Sequence, residues 1–189
     1  MYKYLKRFAD YTFSILFLIC LSPIYLIILI LIFFLDGKPL YFKQKRVGLN
    51  NKTFILYKFR TMKLIAPSEL PTSNFKDINK YISKSGIFLR RTSLDELPQL
   101  INVLKGDMSF IGPRPLLWNQ FDLIKSREED KSNLVKPGIS GLAQVSKSAQ
   151  NNDIEKLRLD KVYVDNFSFK QDFVIFIKTI LFVLNRFIN

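Results

Sequence analysis

The chain has 189 residues, a formal charge of +13 and 48% hydrophobic residues, enough for one domain with or without an appendage. Its expected partners carry phosphate: nucleic acid, anionic lipid or a phosphorylated metabolite. It contains no histidine and one cysteine, Cys20, which excludes Ser-His-Asp catalysis, His-ligated zinc, disulfides and thiolate clusters and leaves carboxylates, Lys, Arg, hydroxyls or a hard cation for chemistry.

The first predicted element is an uncharged run from Tyr11 to Leu35, in which 18 of 25 residues are Leu, Ile or Phe. This composition predicts burial in lipid, and the run lacks the short apolar core and small-residue cleavage site of a signal peptide. Its length is sufficient for a single spanning helix. Ser22-Pro23, however, lies at the midpoint, where proline interrupts helical hydrogen bonding.

Positive charges flank this run on both sides: Lys3, Lys6 and Arg7 before it, then Lys38, Lys43, Lys45 and Arg46 after it. A spanning helix would place one cluster on the side of the membrane that normally lacks positive charge. A helix bent at Ser22-Pro23 would return both clusters to the cytoplasmic face. We therefore predict a re-entrant membrane helix over residues 1–36, with a spanning helix as the alternative, and a cytoplasmic-face domain over residues 37–189.

The rest of the chain predicts an α+β fold that is mostly α-helical. Residues 40–60 predict a small β-hairpin, because aromatic and β-branched runs flank a Gly-Leu-Asn-Asn turn. Prolines and small polar residues predict a loop or lid over residues 64–80. The next predictions are a helix from Leu97 to Leu104 closed by Lys105-Gly106, extended turns at 112–115 and 136–141, and a helix capped by Asp153 that ends near Asn166.

The last predicted element is a helix from Asp172 to Phe187 with one apolar face, formed by Phe173, Phe176, Ile177, Ile180, Leu181 and Leu184. Lys178, Asn185 and Arg186 limit its polarity pattern, and its apolar run is too short to cross a bilayer. Two interpretations stay open. The helix is either part of the core or an amphipathic, interfacial helix on a membrane surface.

An adjacent acid pair, Asp95-Glu96, is the main candidate for chemistry in a chain with 29 Lys and Arg against 16 Asp and Glu. A structural interpretation is available, since Ser93-x-x-Glu96 fits a capping box. Pro98 disfavours a simple box, and the helix can instead begin at that proline.

The chemical interpretation depends on the cations expected around the pair: Lys58, Arg60, Arg90, Arg91 and Arg114. Arginines bind phosphate oxygens in bidentate fashion, and Mg²⁺ bridges phosphate to a carboxylate. Such a cationic field is expected to lower the pKa of the carboxyl group. The acid would then stay ionised and able to attack phosphorus.

Five stretches of the chain resemble the bacterial sugar transferases, the small monotopic phosphoglycosyl transferases. They cover most of residues 3–183 in family order: KRFADYTFSILFLICLSP, YFKQKRVGLNNKTFILYKFRTM, SGIFLRRTSLDELPQLINVLKGDMSFIGPRP, KPGISGLAQV and LRLDKVYVDNFSFKQDFVIFIKT. The third stretch is a very specific signature. The Ser22-Pro23 break matches the re-entrant membrane helix of this family.

The resemblance implies transfer of a phospho-sugar from a UDP-sugar to polyprenyl (undecaprenyl) phosphate, with release of UMP, at the cytoplasmic face of the bacterial inner membrane. This step starts polysaccharide or glycoprotein glycan assembly. Asp95 is implied to be the nucleophile that forms an aspartyl phospho-sugar intermediate and to bind Mg²⁺. Glu96 is implied to assist, either by removing the acceptor's proton or by orienting Mg²⁺.

The resemblance also assigns binding residues. Arg90 and Arg114, and more weakly Lys58, map to nucleotide or phosphate binding, whereas Asp160 matches a family acid whose role is open. The chain departs from the family where Ser146-Lys147-Ser148 replaces a usual Gly-Arg. This change is expected to affect sugar preference or affinity, with Lys147 as a candidate substitute.

Two other functions stay open at this point. One is a basic, membrane-attached binding protein for nucleic acid or anionic lipid, and the other is a catalytically silent assembly factor. No nucleic-acid module is recognisable, so nucleic acid is not an expected partner. The expected partners are a UDP-sugar, polyprenyl phosphate and inner-membrane lipids; a homodimer is compatible with the sequence, although no residue demonstrates it.

Overall fold

A computed structural model of the chain describes residues 1–67, 75, 77–149 and 152–188, without the side chains of residues 186–188. Within these ranges it contains seven α-helices and five strands, which confirms the predicted, mostly helical α+β class. The elements are α1 (Tyr2–Cys20), α2 (Ser22–Asp36), β1 (Tyr41–Val47), β2 (Thr53–Phe59), α3 (Lys84–Thr92), α4 (Gln99–Lys105), β3 (Ser109–Ile111), β4 (Leu116–Leu117), α5 (Phe121–Glu129), β5 (Gly138–Ser140), α6 (Asp153–Asp165) and α7 (Phe169–Ile188).

The N-terminal helix pair breaks at the predicted position. α2 begins at Ser22 with Pro23 in its first turn, where a proline costs no helical hydrogen bond. The hydroxyl of Ser22 donates to the carbonyl of Ile19 at 2.8 Å, which satisfies an acceptor at the end of α1. The two helices are bent by 63°; no single described helix is long and apolar enough to cross a membrane, whereas this pair meets that test when both helices are counted together.

The first turns of α1 are bonded to the rest of the protein. Lys6 Nζ lies 2.5 Å from Asp172 Oδ2 in α7. The guanidinium of Arg7 donates to the carbonyls of Val103 and Leu104 at 2.5 and 2.8 Å. Arg7 therefore supplies positive charge and donors at the C-terminus of α4, where helix carbonyls lack intrahelical partners.

The end of α2 is bonded to the helix that follows the hairpin. The carboxylate of Asp36 accepts hydrogen bonds from Ser83 Oγ, Lys84 N and Ser85 N at 2.9, 3.0 and 3.2 Å. These donors belong to the N-terminus of α3, which a carboxylate stabilises. Arg60 Nη2 donates to the carbonyls of Asp36 and Gly37, each at 2.6 Å. The two ends of the bent pair thus contact one body, through α4 and α7 at one end and α3 and β2 at the other.

The predicted β-hairpin is confirmed. Strands β1 and β2 pair antiparallel from Tyr41↔Phe59 to Val47↔Thr53, and the turn between them includes Asn50 and Asn51 at positive φ, which asparagine tolerates. β4 adds to the other edge of β1.

The buried side chain of Asn102 joins α4 to the hairpin, since it accepts from Tyr57 N at 3.1 Å and donates to Ile55 O at 2.7 Å. Leu56, Val103 and Met108 form an apolar core beneath this contact. The predicted end of α4 at Lys105-Gly106 is confirmed, with Gly106 in a left-handed conformation. These contacts therefore fix the position of β2 relative to α4.

The segment 136–141 differs from its prediction as a turn, because residues Gly138–Ser140 form strand β5, which pairs in parallel with β3. A Cβ atom on Gly138 would lie 2.1 Å from the backbone nitrogen of Gly112, and one on Gly141 would lie 2.0 Å from the carbonyl oxygen of Gly112. Only glycine allows such close approach of two backbones. The segment after β3, residues 112–115, is non-helical as predicted.

Two helix predictions need correction, and one helix, α3, was not predicted. The N-cap of α6 is Asn152 rather than Asp153, and its side chain accepts from Glu155 N at 3.1 Å. α7 begins at Phe169, three residues before the predicted start, and the six apolar residues of its predicted face are 41–55% exposed, so the core interpretation of this face is wrong. The predicted loop over residues 64–80 includes 68–74 and 76, which lie outside the described residues.

The backbone contact between Gly138 and Gly112 yields a prediction. Gly138→Ala is expected to lower the free energy of unfolding by about 3 kcal/mol, because the added methyl group meets backbone atoms that cannot move separately. Gly48→Ala is the matched control, since its methyl group would meet the side-chain ring of Phe54 at 3.2 Å and no backbone atom closer than Lys52 O at 3.6 Å. Thermal denaturation in detergent measures both variants, and an equal melting temperature for the two would contradict this packing.

Candidate active site

The acid pair lies in the short connection between α3 and α4. Ser93 ends α3 in a left-handed conformation (φ 57°, ψ 15°), and Leu94–Glu96 then form one 3₁₀ turn. Ser93 makes no side-chain capping bond to this turn, so the capping-box interpretation is wrong. α4 begins after Pro98, in agreement with the alternative that the helix starts there. The left-handed residue costs about 1–2 kcal/mol and redirects the chain toward the hairpin.

Lys58 of β2 contacts both acids. Its ammonium nitrogen lies 2.5 Å from Glu96 Oε1 and 3.7 Å from Asp95 Oδ2. All three side chains are largely buried, with Asp95 8% exposed. A desolvated carboxylate pair without a cation would be strongly destabilising, so Lys58 supplies a necessary part of the charge balance.

Burial has a larger effect on Asp95 than the surrounding cations. It raises the pKa of the Asp95 carboxyl above its ordinary value; the charge of Lys58 opposes this rise, the charge of Glu96 adds to it, and Arg90 opposes it again. The expectation that the cationic field lowers this pKa is therefore wrong in its net direction. Desolvation penalises the ionised acid more than the neighbouring charges stabilise it.

Two further predicted cations have different roles. Arg90, in the last turn of α3, donates from Nε to Thr61 Oγ1 at 3.0 Å and acts electrostatically on Asp95. Arg60 is 6% exposed and binds the carbonyls at the end of α2. Arg90 therefore lies close enough to act on Asp95, whereas the guanidinium of Arg60 binds the end of α2.

Arg114 shares a cleft with Glu96, the second residue of the acid pair. This cleft is lined by Lys58, Glu96, Gln99, Arg114 and Arg46, among others. The side chain of Arg114 is exposed, whereas the prolines on either side of it are buried. A phosphate group in this cleft would meet cations from the hairpin and from the proline turn.

Asp160 is placed elsewhere. Its carboxylate lies 2.5 Å from the guanidinium of Arg127 in α5, and the residue is 1% exposed. Burial raises the pKa of Asp160, while the charge and hydrogen bond of Arg127 oppose that rise. No described contact joins this pair to Lys58, Asp95 or Glu96, and its contacts are those of a link between α5 and α6.

The acid pair suits a magnesium ion only in part. The described residues contain no group of three or more acidic, His or Cys side chains that could hold a metal. Mg²⁺ typically takes one or two carboxylates and completes its shell with water and substrate phosphates. The carboxylates of Asp95 and Glu96 are such a donor set, so they fit Mg²⁺ that arrives together with a phosphorylated substrate.

Two residues of the cleft were not predicted as site residues: Arg46 was noted only as a charge that flanks the apolar run, and Gln99 was not noted. Both line the cleft, and Gln99 is buried. The alternation of side chains along β1 was a usable signal, because Arg46 falls on the same face of the hairpin as Lys58. Gln99 carried no such signal.

Comparison with known proteins relates this chain to a family. A profile described as bacterial sugar transferase matches residues 1–186. The Bacillus subtilis protein named uncharacterized sugar transferase EpsL is 42% identical over 180 residues, which are 95% of this chain and 87% of that protein.

Two further relatives have names that state a substrate. The undecaprenyl-phosphate galactose phosphotransferase of Salmonella typhimurium is 37% identical over 97% of this chain and 41% of that protein. The UDP-N-acetylgalactosamine-undecaprenyl-phosphate N-acetylgalactosaminephosphotransferase of Aeromonas hydrophila is 38% identical over 99% of this chain and 45% of that protein. The chain spans less than half the length of these two relatives.

The family profile covers nearly all of the chain, and the matched residues include the acid pair, the proline turn and the broken N-terminal helix. The chain therefore belongs to the bacterial sugar transferase family.

Proposed function

We propose that this protein transfers a sugar phosphate from a UDP-sugar to polyprenyl phosphate and releases UMP. Family membership and the names of the relatives in Salmonella and Aeromonas support a phosphotransferase that uses undecaprenyl phosphate. The observation that carries the proposal is the contact of Lys58 with Asp95 and Glu96. Lys58 and Glu96 also line a cleft together with Arg114. Carboxylates among cations suit attack on a diphosphate.

In the first half-reaction, a carboxylate oxygen of Asp95 attacks the phosphorus that bears the sugar. A bond forms between this oxygen and phosphorus, and the bond from phosphorus to the bridging diphosphate oxygen breaks. The electron pair leaves with UMP, and the sugar phosphate stays on Asp95. Arg114 and Arg90 bind the phosphate oxygens, and Lys58 offsets negative charge that gathers at the phosphorus.

In the second half-reaction, a phosphate oxygen of the polyprenyl phosphate attacks the same phosphorus and releases the Asp95 carboxylate. The product is a polyprenyl-diphosphate sugar. Glu96 borders the cleft, where it takes up a proton from the acceptor or holds Mg²⁺ in place. When bound at the acid pair, Mg²⁺ supplies positive charge to the diphosphate of the donor.

The proposed location is the cytoplasmic face of the bacterial inner membrane, with α1 and α2 as a re-entrant pair. Large apolar side chains are exposed on both helices and on α7, among them Ile19, Ile27, Phe34, Phe173 and Leu181. Such a surface is rare on proteins surrounded by water. The contacts of both ends of the pair with one body support a bend that returns to the side it entered from. A polyprenyl phosphate would present its headgroup at this surface.

The covalent step can be tested with donor alone. Incubation with a UDP-sugar and Mg²⁺ but no acceptor is expected to add one sugar phosphate to Asp95, visible as a mass increase on the peptide that contains it. Asp95→Asn is expected to lose both this adduct and more than 99% of UMP release, about a 100-fold effect or more. Asp122→Asn, on the exposed surface of α5, is the control that keeps both. Full turnover by Asp95→Asn would reject the mechanism.

The pH dependence of the first half-reaction tests the role of Lys58. Attack needs ionised Asp95, so kcat/KM for UMP release falls as the pH drops below the pKa of this group. Burial raises that pKa and Lys58 opposes the rise. Lys58→Met is therefore expected to shift the acidic limb of the pH profile to higher pH. Lys43→Met is the control, because it removes the same charge from the other face of the hairpin and should leave the acidic limb of the pH profile unchanged. A shift of this limb to lower pH in Lys58→Met would contradict the electrostatic role of Lys58.

The membrane arrangement can be tested by cysteine labelling, because Cys20 is the single cysteine and is exposed beside the bend. A membrane-impermeant maleimide is expected not to modify Cys20 in intact spheroplasts, where it reaches only the outer side of the membrane. It is also expected not to modify Cys20 in opened cells, where it reaches the inner side. Cys20 should react only after detergent is added. Lys3→Cys and Lys38→Cys, each combined with Cys20→Ser, should react only from the inside. Reaction of one of these two sites from the outside would indicate a spanning helix instead.

A further inference from the structure

The position of Arg114 in the cleft depends on the backbone of its turn. Its side chain is exposed, but Pro113 and Pro115 on either side are buried. On the Pro113 side, the backbone is held by the close packing of Gly112 against Gly138 and by the hydrogen bond from Gly138 N to Pro113 O at 2.9 Å. On the Pro115 side, the chain continues into β4, which pairs with β1, but Pro115 itself has no N–H with which to join this pairing.

Arg46 supports the Pro115 side. Its Nη1 donates to the carbonyl of Pro115 at 2.9 Å. Its Nε and Nη2 both donate to Gln44 Oε1, at 2.9 and 2.5 Å. Gln44 is 6% exposed, so the amide that orients the guanidinium is itself fixed by packing. A planar guanidinium held at three nitrogens has little freedom, and a lysine cannot reproduce this geometry.

The same hairpin face also carries Lys58. Residues 42, 44 and 46 lie on one face of β1, because side chains alternate between the two faces of a strand. Lys58 of β2 is on the same face, since it pairs with Phe42. Lys58 contacts the acid pair, and Arg46 contacts the proline turn. The same hairpin face therefore contacts both the acid pair and the proline turn that carries Arg114.

We propose that Arg46 is a positioning residue, which holds the Pro115 carbonyl and thereby places Arg114 against the phosphates of the donor. This inference rests on the proposed phosphoglycosyl transfer and adds a role for a residue outside the acid pair. Arg46 also lines the cleft, but its guanidinium nitrogens are bonded to Gln44 and Pro115. In this proposal it therefore acts through the backbone of the turn and contributes only while Arg114 is present.

A double-mutant cycle tests this dependence. Arg46→Lys retains the positive charge but loses the fork to Gln44 and Pro115. It is expected to lower kcat/KM for UMP release roughly 10- to 100-fold, as expected for a misplaced binding group. In an Arg114→Ala protein the same substitution should change kcat/KM by less than about twofold, because the group that it positions is gone. Lys45→Met, which removes a neighbouring charge from the opposite hairpin face, is the control.

Equal losses from Arg46→Lys in the presence and absence of Arg114 would overturn the proposal, because Arg46 would then act on substrate or on folding independently. Near-normal activity of Arg46→Lys would overturn it too, since charge alone would suffice. If Arg46→Lys does not fold, Gln44→Met is the second variant, because it removes the two hydrogen bonds that orient the guanidinium while Arg46 itself is kept. The loss of kcat/KM that Gln44→Met causes must likewise disappear in the Arg114→Ala protein. Failure of the proposed function is distinct: the unsubstituted protein would then release no UMP from any UDP-sugar.

Discussion

The site depends on one buried interaction, the ammonium of Lys58 between the carboxylates of Asp95 and Glu96. Two adjacent acids with little access to water repel each other and lose hydration, and a single cation from the hairpin offsets part of both costs. The balance still leaves the pKa of Asp95 raised by its burial. An acid held in this state is a stronger nucleophile when ionised than a fully solvated carboxylate, because less water must be removed before it attacks.

The remainder of the fold holds the partners of this interaction in place. α4 fixes β2 through Asn102, and Arg7 from α1 completes the carbonyl end of α4. Asp36 from α2 completes the amide end of α3, which leads into the acid pair. The apolar helix pair therefore contacts both helices that border the dyad. In the proposed arrangement, the depth at which this pair lies in lipid sets the height of the site above the membrane surface.

The sequence predicted what depends on local pattern: the hairpin, the break at Ser22-Pro23, the end of α4 and the acid pair. It did not predict what depends on distant contacts. Strand β5 exists because glycines permit its backbone to meet Gly112, and α3 is a short helix whose first donors are satisfied by Asp36 from another element. The predicted direction of the pKa shift of Asp95 was wrong, because a sequence shows nearby charges but does not show burial. Arg60 and Asp160 were predicted as candidate site residues, but Arg60 binds the carbonyl of Asp36 and Asp160 pairs with Arg127. Only the three-dimensional structure reveals these partners.

The proposed mechanism requires that phosphorus is bonded to Asp95 before the acceptor takes part. A rapid-quench measurement of UMP tests this order, with UDP-sugar in slight excess over the enzyme and no polyprenyl phosphate. If Asp95 reacts first, UMP appears in a burst that approaches one equivalent per enzyme and then stops until acceptor is added. UMP that forms only when polyprenyl phosphate is present would contradict it, because the acceptor itself would then be attacking the donor.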